Sequence, residues 1–565
     1  MNSLLLAVIV FVAYLVAYHT YGKYLAKKIF QLDPTRVTPA HELRDEVDYV
    51  PAKKEVLFGH HFTSIAGLGP IVGPAIAVIW GWVPAVLWVG LGPIFLGGVH
   101  DLSALVASMR NKGVSIGELT AGLVNPRTRT LFHLIIFFEL WIVIAIFALI
   151  MGILFNMYPQ SVFPVWMEIP IAIWMGYMIY RRGASLTWTA IIAVILMYIT
   201  VIIGAYFPLK LPGLFGLTPV ATWLVILLIY SYFASTTPVW ALLQPRDYIN
   251  AHELIIAMGL LFIGAIVAHP KIVAPAFNLK AAGAPPAWPF LFVVIACGAI
   301  SGFHSLVSSG TSSKQIDKET DAQMVGYGGM LMEGSLSTLV IVATCAALGI
   351  AYKTKAGEIL TGVAAWKAHY ASWQAAAGLG SKLNAVIVGS ANLMNSYGIP
   401  LVIGSTIMAV FLVSFAGTTL DTATRIQRYV IGEFCRDIGV GFLANRWVAT
   451  FIAVFSAFLL AFAQKGGKGA LILWPLFGSV NQLLAGLALL VATVYLAKLK
   501  KPLWITLLPM IFMLFMTGWA MVLNIKKFAA THNTLLLVIG IIVFALEIWM
   551  IIEAVIALER HARSS

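Results

Sequence analysis

The sequence predicts an all-α protein that crosses a membrane many times, and three observations carry this prediction. The chain has 565 residues, of which 60% are hydrophobic and only 10% are charged, and its mean hydropathy is +0.92. Its apolar residues fall into long runs, and two of these runs are interrupted by Gly, Pro, Ser or Thr. Charged residues make up about a quarter of an ordinary soluble domain. The composition therefore excludes a water-soluble protein and indicates an integral membrane protein.

A hydrocarbon core of about 30 Å requires roughly 20 apolar residues per helix, and about fifteen runs approach this length. They lie near residues 2–19, 59–80, 82–107, 130–156, 163–180, 185–206, 219–241, 253–268, 288–312, 325–351, 384–416, 446–463, 470–497, 503–524 and 533–558. No basic segment precedes the first run and no small-residue cleavage site follows it. We therefore expect a retained span rather than a removed signal peptide.

The positions of the 36 Lys and Arg residues predict the orientation. Most of them fall in the inner loops if the N-terminus lies outside and the C-terminus inside, as basic residues do in membrane proteins. The net charge of +13 is thus explained by orientation, with membrane lipid and no nucleic acid as partner, and the oligomeric state is left open. Cys297, Cys345 and Cys435 lack the spacing of a disulfide framework or a zinc site.

The run 59–80 contains the first interruption, "GLGPIVGP". Gly67 and Gly69 loosen a helix and Pro70 removes a backbone donor. Freed backbone groups are tolerated at membrane depth only where protein or a water-lined cavity satisfies them. We expect a broken helix that faces a binding cavity, although a simple kink is the alternative.

The run 219–241 contains the second interruption, with Ser231, Ser235, Thr236, Thr237 and Pro238. It follows the first by five runs and has the opposite direction, which is the pattern of an inverted-repeat transporter with its site between the two breaks. No direct similarity between the halves supports the repeat, so it rests on spacing.

We accordingly predict a LeuT-like 5+5 core at 56–416, with repeats at about 56–206 and 219–416. An extra N-terminal helix and loop occupy 1–55, a cytoplasmic amphipathic segment 417–445, and about four extra helices 446–565. Six residues are the candidate substrate ligands at the two breaks: Ser64, Gly67, Gly69, Ser235, Thr236 and Thr237.

Four ionisable residues lie at similar depth near the inner ends of two antiparallel runs: His60, His61, His100 and Asp101. Ionisable side chains within spans mark candidate sites, here a proton relay or a metal site. A hydrogen-bond network that locks two helices is the alternative. A metal is the weaker interpretation, because adjacent histidines on a helix diverge by about 100°, and no cofactor is expected.

The run 288–312 carries a polar stripe of Ser301, Ser305 and Ser308 beside His304. Hydroxyls of Ser305, Ser308 or Ser309 could join backbone carbonyls near 65–68 to bind sodium. They could equally bond to carbonyls of their own helix. His304 is a candidate for substrate binding or proton transfer.

Two further carboxylates lie alone within apolar runs, Glu139 and Glu333. A buried, neutral carboxyl suits a proton carrier. Glu333 shares its face with Ser337 and Gly329 and is the better candidate, whereas a structural role is preferred for Glu139.

The stretch 416–434 is polar, and Asp421 and Arg425 stand at the i, i+4 spacing of a helical ion pair. We expect an amphipathic helix at the membrane surface or a cytoplasmic gate. The chain has no Walker A loop, GxSxG elbow or HExxH motif, so enzymatic chemistry is not expected. A channel or a membrane sensor is the alternative of a different class.

Five segments occur in the order found in a known family: "FGHHFTSIAGLGPIVGPAIA", "QPRDYIN", "ISGFHSLVSSGTSSKQ", "AGTTLDTATRIQRYV" and "WPLFGSVNQLLAG". They resemble the carbon starvation protein A family of the amino acid-polyamine-cation superfamily. The resemblance implies a peptide transporter of a prokaryotic inner membrane, with relatives that import pyruvate by proton symport. His100 departs from the Gln expected in many relatives, which leaves Asp101 the safer coupling candidate. The resemblance favours H⁺ over Na⁺; a sodium-coupled symporter of a small organic acid or amino acid stays the alternative.

Overall fold

The computed structural model describes residues 2–354, 356–437 and 439–564, without the side chains of 376, 377, 437 and 560–564, and it is almost entirely helical. The helices of the first half are α1 Ser3–Ala17, α2 Pro39–Glu42, α3 Lys54–Ala66, α4 Gly69–Ala77, α5 Trp82–Gly92, α6 Gly98–Met109, α7 Ile116–Leu123, α8 Pro126–Met157, α9 Val162–Tyr180, α10 Leu186–Tyr206, α11 Pro219–Thr236 and α12 Leu243–Ala268.

The helices of the second half are α13 Ala287–Val294, α14 Gly302–Gly310, α15 Gly329–Cys345, α16 Gly362–Tyr370, α17 Trp373–Ala377, α18 Leu379–Asn395, α19 Leu401–Asp437, α20 Arg446–Phe462, α21 Trp474–Lys498, α22 Trp504–Ala530 and α23 Thr534–Ser564. A short antiparallel hairpin, β1 Tyr352–Lys353 and β2 Ile359–Leu360, precedes α16. Among the described residues this is the only pair of strands.

Twelve helices of the described chain are long and apolar enough to cross a membrane, and α3 with α4 form one further span with a 42° bend. The multi-pass prediction is therefore confirmed. Two other predicted runs correspond to shorter helices, the pair α13 and α14 and the helix α20. The total of fifteen spans stays a prediction.

The first predicted interruption is a real break in a span. Gly67 has φ +39° and ψ −141°, outside the helical region, and the next helix begins at Gly69. A positive φ strains any residue with a Cβ. Glycine at 67 thus allows the chain to turn between α3 and α4.

The second predicted break is wrong as an interruption within a span. α11 ends at Thr236, because Thr237 is extended (ψ 154°) before Pro238, and the chain then turns into α12. Proline restricts the preceding residue to extended conformations. The pair α13 and α14, helices of eight and nine residues, is interrupted by residues 295–301, and we name this pair the second broken span.

The broken spans run in opposite directions between two faces of the bundle. We name these two faces by the cavity described below, which leads inward from one of them. That face, the open face, carries the loop 270–286 and the helices α16 and α17. The opposite face, the closed face, carries residues 30–53 and 311–321. α3 starts at the closed face, where Ala52 pairs with Ile316, and α13 starts at the open face.

The segment 384–416 is not one apolar span, because α18 ends at Asn395 and α19 begins at Leu401. No separate segment begins at 417, because residues 401–437 form one helix of 37 residues whose polar residues 418–428 are buried. The structure thus does not show an amphipathic helix on the membrane surface, and the alternative, a cytoplasmic gate, stays a prediction. Arg425 is fully buried within α19. α19 packs against α8, another long and largely buried helix, at the centre of the core.

Candidate functional site

The two broken spans touch each other at their breaks. A Cβ added to Gly69 would lie 2.3 Å from Cys297, and one added to Gly73 would lie 2.5 Å from the Val294 carbonyl oxygen. Only glycine permits so close an approach of the two backbones. Ser337 of α15 links the breaks, because its hydroxyl donates to the Pro70 carbonyl at 3.0 Å and lies against Gly298.

A cavity of about 570 Å³ leads from the open face to this meeting point. Its inner end is formed by Gly69, Cys297 and Asn481, its wall by aromatic rings such as Trp474, and its mouth by the exposed Lys527. A mostly apolar cavity with a few polar groups at its end is typical of a small-molecule site.

Asn481 of α21 holds the start of α14. Its side-chain oxygen accepts a hydrogen bond from the Phe303 backbone N–H at 2.9 Å, and its amide donates to the Ser301 hydroxyl at 3.0 Å. It thereby satisfies a backbone donor freed at the helix N-terminus. The sequence analysis quoted the surrounding segment but did not single out this residue.

Three buried side chains lie in contact with one another beside the breaks. His304 contacts Asp101 through Nδ1 at 3.0 Å and Glu333 through Nε2 at 3.2 Å. Glu333 also accepts a hydrogen bond from the Gly298 backbone N–H at 3.1 Å, within the second break. We call Asp101, His304 and Glu333 the relay. The His304 imidazole lies between two carboxylates, one of which, Asp101, also contacts His100, so a proton bound at His304 would lie beside negative charge.

The predicted group of His60, His61, His100 and Asp101 does not form as one cluster. His100 does contact Asp101, at 2.7 Å. His60, however, contacts Asp247 at 2.6 Å and Thr311 at 3.0 Å, and His61 contacts Ser312 at 2.8 Å. Both histidines thus contact adjacent hydroxyls of the segment that follows α14, His60 contacts α12 in addition, and neither makes a direct contact with Asp101 among the described residues.

His60 belongs to a second buried polar group, which we call the Arg246 network: His60, Glu168, Tyr230, Arg246, Asp247 and Asp421. Arg246 donates to Asp247 at 2.9 Å, to the Tyr230 hydroxyl at 2.6 Å and to Asp421. Glu168 lies 3.9 Å from Arg246 and accepts a hydrogen bond from Ser414. Fixed ion pairs and hydrogen bonds thus hold this network together.

The network corrects one predicted ion pair and adds residues that the sequence analysis missed. Asp421 pairs with Arg246, not with Arg425, which instead binds Asp48 at 2.5 Å. Glu168, Arg246 and Asp247 carried no predicted role. The segment "QPRDYIN" was the available signal, because it places two charges inside a helix that continues as an apolar span.

Some of the predicted substrate ligands line the cavity, and others lie away from it. Gly67 and Gly69 line the inner end of the cavity or the small space that adjoins it. Ser64 instead bonds to Thr422 at 3.1 Å. Three others lie at the end of α11, away from the cavity lining: Ser235 donates to the Asp421 carbonyl, and Thr236 and Thr237 donate to carbonyls of their own helix.

Two of the three predicted sodium ligands bond to their own helix, not to the carbonyls at 65–68. Ser305 and Ser309 donate to carbonyls of their own helix, Gly302 and Ser305, at 2.7 Å each. Besides Ser337, the hydroxyl of Thr419 of α19 approaches the first break, where it donates to the Ser64 carbonyl at 3.3 Å. Ser308 is buried, and its hydroxyl has no hydrogen-bond partner among the described residues.

Glu139 is fully buried in α8, and neither of its carboxylate oxygens has a hydrogen-bond partner within the described part of the chain. It thus lies outside both the relay and the Arg246 network.

At the closed face, buried charged side chains pair with one another. Asp48, in the loop before α3, binds Arg425 and Arg428 of α19 at 2.5 and 2.9 Å. Burial alone would raise the pKa of Asp48, but Arg425, Arg428 and Lys314 outweigh it and hold that pKa below its ordinary value. Burial lowers the pKa of Lys314 to about 8, against the opposing effect of Asp48.

Two sets of side chains in the described chain have the ligand types and spacing of a metal site: Cys297, His304 and Glu333, and Glu118, His133 and Glu433. The proposed weak ligands His60, His61 and His100 belong to neither set.

A protein-family model described as "Carbon starvation protein CstA" matches residues 2–520. A peptide transporter CstA of Campylobacter jejuni is 33% identical over 91% of this chain and 79% of its own length. The pyruvate/proton symporter BtsT of Escherichia coli is 32% identical over 91% of this chain and 80% of its own length. A peptide transporter CstA of Bacillus subtilis is 30% identical over 98% and 97%.

Among solved structures, a manganese transporter of Eremococcus coleocola aligns with a TM-score of 0.49 and 12% identity, over 92% of this chain and 99% of that one. A likeness at this level does not establish a shared fold.

Proposed function

The chain belongs to the carbon starvation protein CstA family, and we propose that it is a secondary transporter that imports peptides or pyruvate together with protons. The names of its relatives, peptide transporters and a pyruvate/proton symporter, support this function. The observation that carries the proposal is the cavity that ends at two helix breaks, directly beside the relay.

The substrate would bind at the inner end of the cavity, where α4 and α14 both begin. Helix N-termini carry partial positive charge and bind anions, and half-helices in transporters direct it at substrate carboxylates. Pyruvate and peptides share a carboxylate, so one end of the site would serve both. Lys527, exposed at the mouth, would attract anionic substrates.

The relay would carry the coupled proton. Glu333 contacts the backbone of the second break through Gly298, so a change in its charge would act directly on the segment that lines the cavity. Asp101 and His304 would pass the proton along the chain of short contacts. Sodium coupling has less support, because Ser305 and Ser309 bond within their own helix.

The broken spans suggest an inverted repeat with a boundary different from the one that the sequence predicts. In this proposal α3 and α4 head the first unit, and α13 and α14 head the second unit in the opposite direction. The closed face would be cytoplasmic, in agreement with the distribution of basic residues. Release to that side would require Asp48 to separate from Arg425 and Arg428.

Uptake into proteoliposomes tests the function. We expect labelled dipeptide or pyruvate to accumulate under an inward proton gradient without sodium, and a protonophore to abolish accumulation. Sodium-dependent uptake that is insensitive to pH would contradict the proposal. Passive, non-accumulating flux of both solutes would indicate a channel instead.

A further inference from the structure

A long apolar groove lies on the outside of the bundle between α5, α13 and α22. Its volume is about 600 Å³. Its lining includes Leu87, Leu91, Phe95, Trp288, Leu508 and Phe512, and none of its lining residues is charged. Exposed apolar surface of this extent marks an interaction site, and on a membrane-spanning bundle the adjoining medium is the lipid hydrocarbon.

One end of the groove lies beside a group of lysines at the closed face. Tyr21 and Trp504 line this end. The lysine cluster consists of residues close to these two aromatic rings in sequence: Lys27, Lys28, Lys498, Lys500 and Lys501. The two parts of the cluster meet in space, because the Lys501 ammonium donates to the Lys28 carbonyl at 3.5 Å.

No carboxylate of the described residues forms a salt bridge with any lysine of this cluster. The nearby acidic residue Glu319 is already bound by Arg36 and Arg110. Four lysines of the cluster are exposed and Lys501 is half-buried. The cluster therefore presents positive charge that nothing in the described part of the chain neutralises.

We propose that the groove and the lysine cluster bind one anionic phospholipid from the leaflet at the closed face. The phosphate lies among the lysines and an acyl chain lies in the groove. Basic pockets between spans at the cytoplasmic surface recognise anionic headgroups in this way. A zwitterionic lipid carries no net charge to match the cluster.

The part of the groove along α22 fits a chain from one leaflet. Trp504 and Phe512 line this part, and eight residues of helix span about 12 Å. Half of the hydrocarbon core is about 15 Å thick, so the acyl chain of a lipid at the closed face occupies this part, whereas Phe277 and Leu279 line the far end of the groove at the open face. At the opposite end Lys280 follows the lining residue Leu279, and no cluster comparable to the five lysines adjoins it in the described sequence.

Native mass spectrometry of the delipidated full chain tests the site with phosphatidylglycerol and phosphatidylcholine as probes. We expect a single high-occupancy phosphatidylglycerol adduct and weaker phosphatidylcholine binding. The triple variant Lys28→Gln, Lys500→Gln, Lys501→Gln should weaken the phosphatidylglycerol adduct at least about tenfold, since one lysine contributes about 1 kcal/mol, or about fivefold. The matched control Lys280→Gln should bind as the unmodified chain does.

A second variant, Leu508→Trp, would fill the groove and leave every lysine in place. We expect it to reduce lipid binding while its thermal unfolding in detergent stays unchanged. Equal binding of the two lipids, or an unchanged adduct in the triple variant, would overturn the proposal. A loss confined to Lys280→Gln would assign the groove to the opposite leaflet and also overturn it. None of these readouts depends on transport.

Discussion

The two buried polar groups of the bundle differ in whether a permanent positive charge balances their carboxylates. The Arg246 network surrounds one fixed positive charge with Asp247, Asp421 and Tyr230, and each of these partners bonds directly to the guanidinium. The relay has no fixed cation, and its imidazole joins two carboxylates beside a helix break. We therefore expect a structural role for the Arg246 network, whose partners are permanent, and a coupling role for the relay, whose charge would depend on a bound proton.

The largest expected effect is a loss of transport on substitution in the relay, which distinguishes the relay from the Arg246 network. Asp101→Asn should abolish proton-driven accumulation, because the amide cannot exchange a proton with His304. We expect a fall of at least about 100-fold in the accumulation ratio, comparable to the removal of an essential proton-transfer group. Labelled solute uptake into proteoliposomes measures it.

Glu139→Gln is the matched control, since it neutralises a buried carboxyl outside the relay. It should keep most of the accumulation. If Asp101→Asn and Glu139→Gln behave alike, burial rather than the relay sets the phenotype, and the comparison fails.

Substitutions in the Arg246 network should lower the stability of the fold. Arg246→Met leaves Asp247 and Asp421 buried without their cation, and loss of one partner of a buried pair costs about 3–5 kcal/mol. We expect a large drop in the thermal unfolding midpoint and in folded yield. Asp101→Asn, by contrast, should fold nearly as the unmodified chain does.

A double variant sharpens this result. Arg246→Met with Asp421→Asn removes both charges of one pair, so it should be less destabilised than the sum of the single variants. Strict additivity in thermal unfolding would show that the two residues are not coupled.

Asn481→Ala should have a smaller effect, on both stability and uptake, because this side chain supports a helix that adjoins the cavity. It removes the side chain that accepts from the Phe303 N–H at the start of α14. A helix cap or buried hydrogen bond is worth about 1–2 kcal/mol. We expect this loss in unfolding experiments and a raised KM for uptake, because the inner end of the cavity adjoins this helix start. An unchanged KM would show that Asn481 acts on the scaffold alone.

The sequence predicts some parts of these groups and misses others for identifiable reasons. The first break could be predicted because Gly67, Gly69 and Pro70 mark it within four residues. The true second break was missed because residues 295–301 are mostly apolar, with Gly298 (φ +93°) as their only glycine. Ser235 to Pro238 drew attention instead, although polar residues before a proline also mark an ordinary helix end.

Long-range pairs lie beyond what one sequence can supply. Asp101, His304 and Glu333 are all named as candidates for proton transfer, but their mutual contact is not predicted, because His304 lies 203 residues from Asp101. Arg246 and Asp421 are 175 residues apart. Local spacing therefore predicts an i, i+4 ion pair of Asp421 with Arg425. In the folded chain Asp421 pairs with Arg246 instead, and Arg425 pairs with Asp48.

The smallest expected effect is a pH dependence at the closed face. Burial lowers the pKa of Lys314 from 10.5 to about 8, so the folded chain binds fewer protons there than the unfolded chain between these two pH values. Its contribution to stability therefore rises as pH increases from about 8 to about 10.5. Thermal unfolding across this range should show a slope that Lys314→Met reduces. An identical slope in both proteins would assign it to other groups.

Proton movement driven by substrate tests the central claim most directly. Pyruvate or a dipeptide added to proteoliposomes without an imposed gradient should acidify the interior, as reported by a trapped pH dye, and the Asp101→Asn variant should show no acidification at equal protein content. Substrate entry without acidification, or full acidification in the variant, would contradict proton coupling through the relay.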